Sequence, residues 1–104
     1  LKIITVTGYK GGVGKTTSTV YLGMVASQQG NTLLVDTDAQ HSLSGWNEDA
    51  IESLPVTVIG MTAKSLTNDL AHMAESFAHV IVDTPPTEIS IVRAAMSVAD
   101  IVVI

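Results

Sequence analysis

The sequence predicts an α/β fold with a mostly parallel sheet and helices on both faces. Strand and helix patterns alternate along its 104 residues, which is typical of a parallel sheet with right-handed crossover connections. The apolar residues come in short bursts, as expected for strands that are buried on both faces. These bursts are Ile3–Val6, Leu33–Val35, Val80–Val82 and Ile101–Ile104.

The chain begins with a strand pattern, a glycine-rich loop and a helix pattern. Lys2–Thr7 is β-branched and apolar, and is predicted as a buried strand that leads into the loop of residues 8–14. Thr16–Gln29 has apolar pairs at helical spacing and is predicted as a helix. Gly30–Asn31 follows it and is a C-cap signal.

A second strand and a second helix are predicted in the middle of the chain. Thr32–Asp36 is the strand, and the polar stretch Thr37–Glu52 after it is predicted to be mainly a loop. Val56–Ile59 is a short strand candidate. Ala63–Phe77 is predicted as an amphipathic helix, because its apolar residues are spaced by four, three and four positions. Those residues are Leu66, Leu70, Met73 and Phe77.

The last third of the chain repeats the alternation. His79–Asp83 is predicted as a strand, Ile89–Val98 as a helix and Asp100–Ile104 as a final strand. One face of the predicted helix carries Ile91, Ala95 and Val98. Because a parallel strand normally leads into a covering helix, we expect the natural protein to continue beyond Ile104.

Composition and charge exclude several classes of function. There is no Cys, which excludes disulfides, thiolate metal sites and cysteine-bound iron–sulfur clusters. His41, His72 and His79 lack metal-ligand spacing. The net charge is −5 with five Lys plus Arg, so these residues are not expected to supply the main surface for a nucleic acid. No apolar run is long enough for a membrane span and no signal-peptide pattern is seen, so we expect a cytoplasmic protein.

The segment from Gly8 to Thr16 matches the phosphate-loop pattern G-x-x-x-x-G-K-[ST]. Triphosphate oxygens need several converging backbone N–H groups, and glycines allow that close approach. The loop opens into the predicted N-terminus of a helix, where the dipole favours an anion. Lys15 is placed to reach the β- and γ-phosphates, and the Thr16 hydroxyl to ligate Mg²⁺. The pattern and its strand–helix context therefore predict an ATP site.

Acidic side chains follow two predicted strands, at the edge where open α/β sheets bind ligands. Asp83 ends one strand, in the position of a Walker B carboxylate that holds Mg²⁺ through water. Asp36 and Asp38 follow the other, two residues apart. Ordinary turn capping is the alternative for this pair.

Together these motifs resemble the ParA/MinD family of deviant Walker A ATPases. Residues 10–17, Lys-Gly-Gly-Val-Gly-Lys-Thr-Thr, are similar to its phosphate loop, which carries a second, signature lysine. Residues 34–40, Leu-Val-Asp-Thr-Asp-Ala-Gln, resemble its D-x-D-P-Q motif, and residues 82–86, Val-Asp-Thr-Pro-Pro, its Walker B and switch II. The continuation to Trp46 is most similar to the small, ParF-like partition ATPases. The resemblance covers essentially the whole chain.

The resemblance implies three catalytic residues. Lys10 would reach across a nucleotide-sandwiched dimer to the phosphates bound by the other subunit. Lys15 would contact the phosphates of its own subunit, and Asp38 would help to orient the attacking water. Ala39 stands where the family usually has Pro, which frees φ and returns an N–H to the backbone beside Asp38. This departure bears on the hydrolysis rate more than on nucleotide binding.

The resemblance also implies the metal and nucleotide contacts. Thr16 would ligate Mg²⁺, while Asp36 and Asp83 would hold the waters around it. Thr17 would contact the α-phosphate. The expected nucleotide contacts are Lys10, Gly11, Gly12, Val13, Gly14, Lys15, Thr16 and Thr17.

The implied cofactors are ATP or ADP with Mg²⁺, and the implied partners are a second copy of the chain and a stimulatory protein of the centromere-binding type. Hydrolysis would be weak without that protein. Residues 1–104 would be the N-terminal portion of a single P-loop ATPase domain, with adenine contacts and any non-specific DNA-binding surface in later sequence.

Four functions follow from these observations. The leading one is an ATP-driven switch for plasmid or chromosome partition. A division-site or cargo-positioning regulator would use the same ATPase core. A metabolic ligase on a related P-loop fold would need a substrate pocket beside the γ-phosphate and turnover without a stimulatory partner. The fourth is a non-catalytic nucleotide-binding module.

Overall fold

The computed structural model describes residues 3–7, 21–37, 56–84 and 88–103. Within these ranges it has five strands, β1 to β5, and three helical segments. The strands are Ile3–Val6, Thr32–Asp36, Val56–Gly60, His79–Asp83 and Ile101–Val103. The helical segments are α1 over residues 21–27, α2 over Ala63–Ala74 and α3 over Ile89–Val98.

The strands form one parallel sheet in the order β3-β2-β4-β1-β5. Of the three inner strands, β2 and β4 are almost completely buried, in agreement with their uninterrupted apolar sequences. From β1 to β2 the chain moves towards one side of the sheet, and from β3 through β4 to β5 it moves back. Right-handed crossovers must then lie on opposite faces for the two directions.

The core clusters confirm helices on both faces. On one face, Leu22 and Ala26 of α1 pack against a small cluster. That cluster is Val6, Leu34 and Ile81. On the other face, α2 and α3 cover a larger cluster. Ala95 of α3 is fully buried in this cluster. The fold class predicted from the sequence is therefore confirmed.

Helix α2 is shorter than predicted. Its N-terminus is capped by Thr62, whose hydroxyl oxygen accepts a hydrogen bond from the Ser65 N–H at 3.1 Å. It ends at Ala74 rather than Phe77, although Phe77 still packs against the larger core cluster. The N–H of Ala78 donates instead to the Asn31 carbonyl at 2.9 Å, so pairing with β2 ends the helix and begins β4.

Two glycines allow close packing around β2. A Cβ on Gly23 of α1 would lie 2.8 Å from Cδ2 of Leu34, so the glycine lets α1 approach the sheet. A Cβ on Gly30 would lie 2.6 Å from Cβ of Ala78. Gly30 does not have the left-handed backbone of a common glycine C-cap, so this position requires glycine for space.

The last strand begins one residue later than predicted. Asp100 precedes β5 and bonds to the start of β1: its N–H donates to the Ile3 carbonyl at 2.7 Å, and its Oδ2 accepts from the Ile3 N–H at 2.9 Å. This exchange sets the register in which Ile4 pairs with Ile101.

Candidate functional site

Two carboxylates meet at the carboxyl edge of the sheet. Asp36 is the last residue of β2 and Asp83 the last residue of β4, and the two are paired in the parallel register. Val6, the last residue of β1, pairs with Asp83 from the other side. Neighbouring strands lie about 4.8 Å apart, so these strand ends form a row of three adjacent positions.

The exit of β1 lies beside this pair. The connection after β1 leads to α1 on one face, and the connection after β4 leads to α3 on the other. Neighbouring strands whose connections go to opposite faces leave a crevice at their carboxyl ends, where open α/β sheets bind ligands. Val6 pairs with Asp83, and in the sequence the glycine-rich segment begins at Gly8, two residues after Val6.

The two carboxylates are buried. Asp36 is 1% exposed and Asp83 is 0% exposed. Burial takes a carboxylate out of water, and a cation or hydrogen-bond donors must replace the lost hydration. Oxygen ligands are those that Mg²⁺ prefers, and Mg²⁺ usually takes only one or two protein carboxylates and keeps several waters. The donor set thus fits Mg²⁺.

A site for zinc is not indicated in the part of the chain that the structure describes. No group of three or more His, Cys, Asp and Glu there could hold a metal ion. His72 lies on the surface of α2 with its side chain 89% exposed and Nδ1 3.5 Å from Glu75. His72 thus lies on a solvated edge of α2.

Two buried threonines follow the carboxylates, and their contacts were missed in the sequence analysis. Thr37 donates from its hydroxyl to the carbonyl of Asp83 at 2.6 Å. Thr84 donates from its hydroxyl to the carbonyl of Val6 at 3.0 Å. The signal was present as the repeated tripeptide Val-Asp-Thr, at residues 35–37 and 82–84.

A cleft of about 590 Å³ opens at the same edge, between the first turns of α2 and α3. Asp36 and Thr37 lie at one end of it, Met61 and Ser65 on the α2 side, and Ile91 on the α3 side. The N–H of Met61 donates to the carbonyl of Asp36 at 3.0 Å, which joins the start of α2 to the end of β2. The cleft is therefore next to the carboxylate pair.

The rest of the predicted site lies outside the described residues. This holds for the phosphate loop from Lys10 to Thr17, for Asp38 and for Ala39. Their roles remain predictions. Asp36 and Asp83 are the predicted site residues that the structure describes, and it brings them to one edge. No helix in the described ranges is long and apolar enough to cross a membrane.

A family model matches the chain over residues 4–101, and its description is the CobQ/CobB/MinD/ParA nucleotide binding domain. The match includes the strand ends described above and the glycine-rich segment between β1 and α1.

Curated relatives agree with this match. The chain is 36% identical over 95 residues to maintenance of carboxysome distribution protein A of Gloeobacter kilaueensis, covering 91% of this chain and 44% of the relative. It is 40% identical over 65 residues to a ParA family protein of Chlamydia pneumoniae, covering 58% of this chain and 26% of the relative. The chain thus spans less than half the length of these relatives.

Solved structures share the fold. A plasmid partition protein of Borrelia burgdorferi superposes with a TM-score of 0.73 at 22% identity, covering 97% of this chain and 62% of that one. A putative plasmid partition protein from the same organism, bound to AMPPNP, also superposes with a TM-score of 0.73 and 22% identity, covering 97% of this chain and 60% of that one.

Proposed function

The chain belongs to the CobQ/CobB/MinD/ParA family of nucleotide-binding domains, and from that premise we propose that it binds and hydrolyses Mg·ATP as a dimerising switch in DNA partition. The observation that carries the proposal is the buried pair of Asp36 and Asp83, in register beside the exit of β1 into the glycine-rich segment. The partition proteins of the same fold support the choice of process.

The metal part of the proposal assigns three side chains. Thr16 ligates Mg²⁺ with its hydroxyl, and Asp36 and Asp83 hold the waters around the ion. Mg²⁺, when bound, neutralises charge on the phosphate oxygens. The burial of both carboxylates supports this assignment, because water-excluded charges act more strongly on a cation than exposed ones do.

The nucleotide part of the proposal divides binding from turnover. Lys15 and the backbone of the glycine-rich loop bind the phosphates of their own subunit. Asp38 orients the attacking water, and Lys10 reaches the nucleotide of the other subunit. ATP therefore closes the dimer, a partner protein stimulates hydrolysis, and ADP lets the dimer open. AMPPNP is an ATP analogue, and its presence in a partition protein of the same fold supports ATP as the nucleotide.

Lys15→Ala tests the phosphate site in the full-length protein. The substitution removes the cation placed at the β- and γ-phosphates, so we expect ATP affinity to fall by more than about 100-fold, or beyond detection. Titration with a fluorescent ATP analogue measures it, with Lys64→Ala on the exposed surface of α2 as the control. An unchanged affinity in Lys15→Ala would remove the phosphate-loop assignment.

Lys10→Ala tests the dimer separately from the phosphate site. Because Lys10 acts on the partner's nucleotide, ADP affinity should be nearly unchanged while ATP-dependent dimerisation is lost. Sedimentation velocity with ADP and with ATP distinguishes the two effects. Normal dimers with normal turnover would show that Lys10 is not a signature lysine.

Two specific observations favour other uses of the same core. The relative named for carboxysome distribution favours cargo positioning, which differs from partition in the object that is moved. The cleft beside Asp36 has room for a small acceptor and favours a ligase. A ligase would consume ATP only with a small-molecule acceptor and without a stimulatory protein, so ATP turnover that depends on a protein partner excludes it.

A further inference from the structure

The strands β2 and β4 end in the same three residues at the same height in the sheet. Val35 pairs with Val82, and Asp36 pairs with Asp83. Thr37 and Thr84 then follow their aspartates at equivalent positions. Thr37 is 5% exposed and Thr84 is 0% exposed, so both hydroxyls are shielded from water.

Each threonine binds one carbonyl of the neighbouring strand twice. Thr37 donates its N–H at 3.3 Å and its hydroxyl at 2.6 Å to the carbonyl of Asp83. Thr84 donates its N–H at 3.2 Å and its hydroxyl at 3.0 Å to the carbonyl of Val6. The bonds therefore run in one direction across three strand ends, from β2 to β4 to β1.

This chain of bonds joins the segments that carry the predicted site. Val6 ends the strand that leads into the glycine-rich loop, and Asp83 is the carboxylate beside it. Thr37 is followed directly by Asp38. A threonine hydroxyl that is bonded to a neighbour restricts both its own χ1 and the backbone at the strand end. Displacement of Asp83 relative to either neighbour would break one of the two hydroxyl bonds.

We propose that Thr37 and Thr84 are positioning residues, whose hydroxyls hold Asp36 and Asp83 in register with the strand that enters the phosphate loop. The inference rests on the proposed function, because it concerns the same Mg·ATP site. Groups that orient metal-binding residues typically change metal affinity or activity about 10–100-fold when they are removed. The effect of losing either hydroxyl should therefore appear in the Mg²⁺ dependence.

Two other threonines in the same sheet provide matched controls. The hydroxyl of Thr5 donates to the Ala95 carbonyl at 3.0 Å, in the middle of β1. The hydroxyl of Thr32 donates to the Gly30 carbonyl at 3.3 Å, at the amino end of β2. Both residues are 0% exposed. Their Thr→Val variants lose a hydroxyl bond to a backbone carbonyl that is buried at Thr5 and part-buried at Thr32, away from the carboxyl edge.

The experiment compares Thr37→Val and Thr84→Val with Thr5→Val and Thr32→Val in the full-length protein. Binding of a fluorescent ATP analogue is measured in EDTA and across a MgCl₂ titration. We expect the Mg²⁺ concentration at half-saturation to rise about 10-fold or more in Thr37→Val and Thr84→Val and to stay within about twofold in the two controls. Affinity in EDTA should be unchanged in all four.

Serine variants separate positioning from packing. Thr37→Ser and Thr84→Ser keep the hydroxyl and lose only a methyl group. Their Mg²⁺ concentration at half-saturation should therefore be close to that of the wild type. Because serine variants preserve the bond, they also test the inference if a valine variant fails to fold. A Thr37→Ser or Thr84→Ser protein that has wild-type stability but needs about 10-fold more Mg²⁺ for half-saturation would contradict the inference.

The outcomes distinguish the inference from the function on which it rests. A wild-type protein without Mg²⁺-dependent nucleotide binding overturns the proposed function, and the positioning role with it. The positioning role alone is overturned if the wild-type protein shows Mg²⁺-dependent nucleotide binding and all four valine variants have the same Mg²⁺ concentration at half-saturation.

Discussion

At the amino edge of the sheet Asn31 joins β2 to the entry of β4, whereas at the carboxyl edge the same two strands end in Asp36 and Asp83. The Asn31 side chain accepts from the Ala78 N–H at 3.0 Å and donates to the Ser76 carbonyl at 2.8 Å. Its polar atoms thus bind backbone groups and carry no charge. The carboxyl edge instead places two acidic side chains next to each other, at 1% and 0% exposure.

The difference separates a neutral contact that stabilises the fold from a pair of acidic residues placed where a ligand can bind. Neutral hydrogen bonds such as those of Asn31 contribute about 0.5–1.5 kcal/mol each. Buried acidic residues at the carboxyl ends of parallel strands lie where open α/β sheets bind ligands. Substitutions at the carboxyl edge should therefore change function first, and substitutions at the amino edge should change stability first.

Asp38→Ala should give the largest effect, at the segment that leaves the carboxyl edge. Orienting a water matters mainly in the transition state, so kcat should fall about 10²–10⁴-fold, or about 3–5 kcal/mol, with little change in ATP binding. Single-turnover hydrolysis on the full-length dimer measures it. The variant should bind Mg·ATP, dimerise and stay closed. Hydrolysis at the wild-type rate would make Asp38 an ordinary turn cap.

Asp83→Asn should give a smaller effect than Asp38→Ala, and mainly on Mg²⁺ binding. Loss of one charge should weaken Mg²⁺ binding about 10–100-fold. Asparagine keeps the size of the side chain and one carbonyl oxygen as an acceptor, so the free energy of unfolding without Mg²⁺ and nucleotide should change less than the Mg²⁺ affinity does. Urea denaturation in EDTA and a MgCl₂ titration measure the two quantities.

Asp100→Asn is the control for this prediction at the amino edge. Asp100 accepts a hydrogen bond from the Ile3 N–H at 2.9 Å, so its neutralisation should lower stability and leave the Mg²⁺ dependence unchanged. A Mg²⁺ dependence weakened as much in Asp100→Asn as in Asp83→Asn would contradict the view that the carboxyl edge is the one that acts on the metal.

The sequence was most informative where local pattern and burial agree. The strands Thr32–Asp36 and His79–Asp83 and the helix Ile89–Val98 have the bounds predicted for them. The end of α2 was wrong by three residues, because apolar spacing continues to Phe77 while the backbone of Ala78 pairs with Asn31 across 47 residues. Helical periodicity contains no information about such a distant partner.

At the candidate site, residue type predicted the carboxylates but not the bonds that fix them. Asp36 and Asp83 were identified because acidic residues at strand ends are a recognised pattern for Mg²⁺. Thr37 and Thr84 are ordinary strand-end residues, and their importance appears only when the strand order brings β1, β4 and β2 side by side. That order depends on long-range pairing, which the alternation of strands and helices does not specify.

Asn31→Ala should give the smallest effect and one confined to stability. The substitution removes two side-chain hydrogen bonds, but both are exposed and the Ala78 N–H keeps its bond to the Asn31 carbonyl at 2.9 Å. Water can replace the lost partners, so we expect the free energy of unfolding to fall by only about 1 kcal/mol. Asn31→Asp keeps the acceptor for Ala78 and should recover about half of the loss. ATP affinity and its Mg²⁺ dependence should match those of the wild type in both variants, measured beside urea denaturation of the same preparations. A shift in Mg²⁺ dependence would mean that the two edges are coupled through β2 and β4, and the division between a stabilising edge and a functional edge would then be wrong.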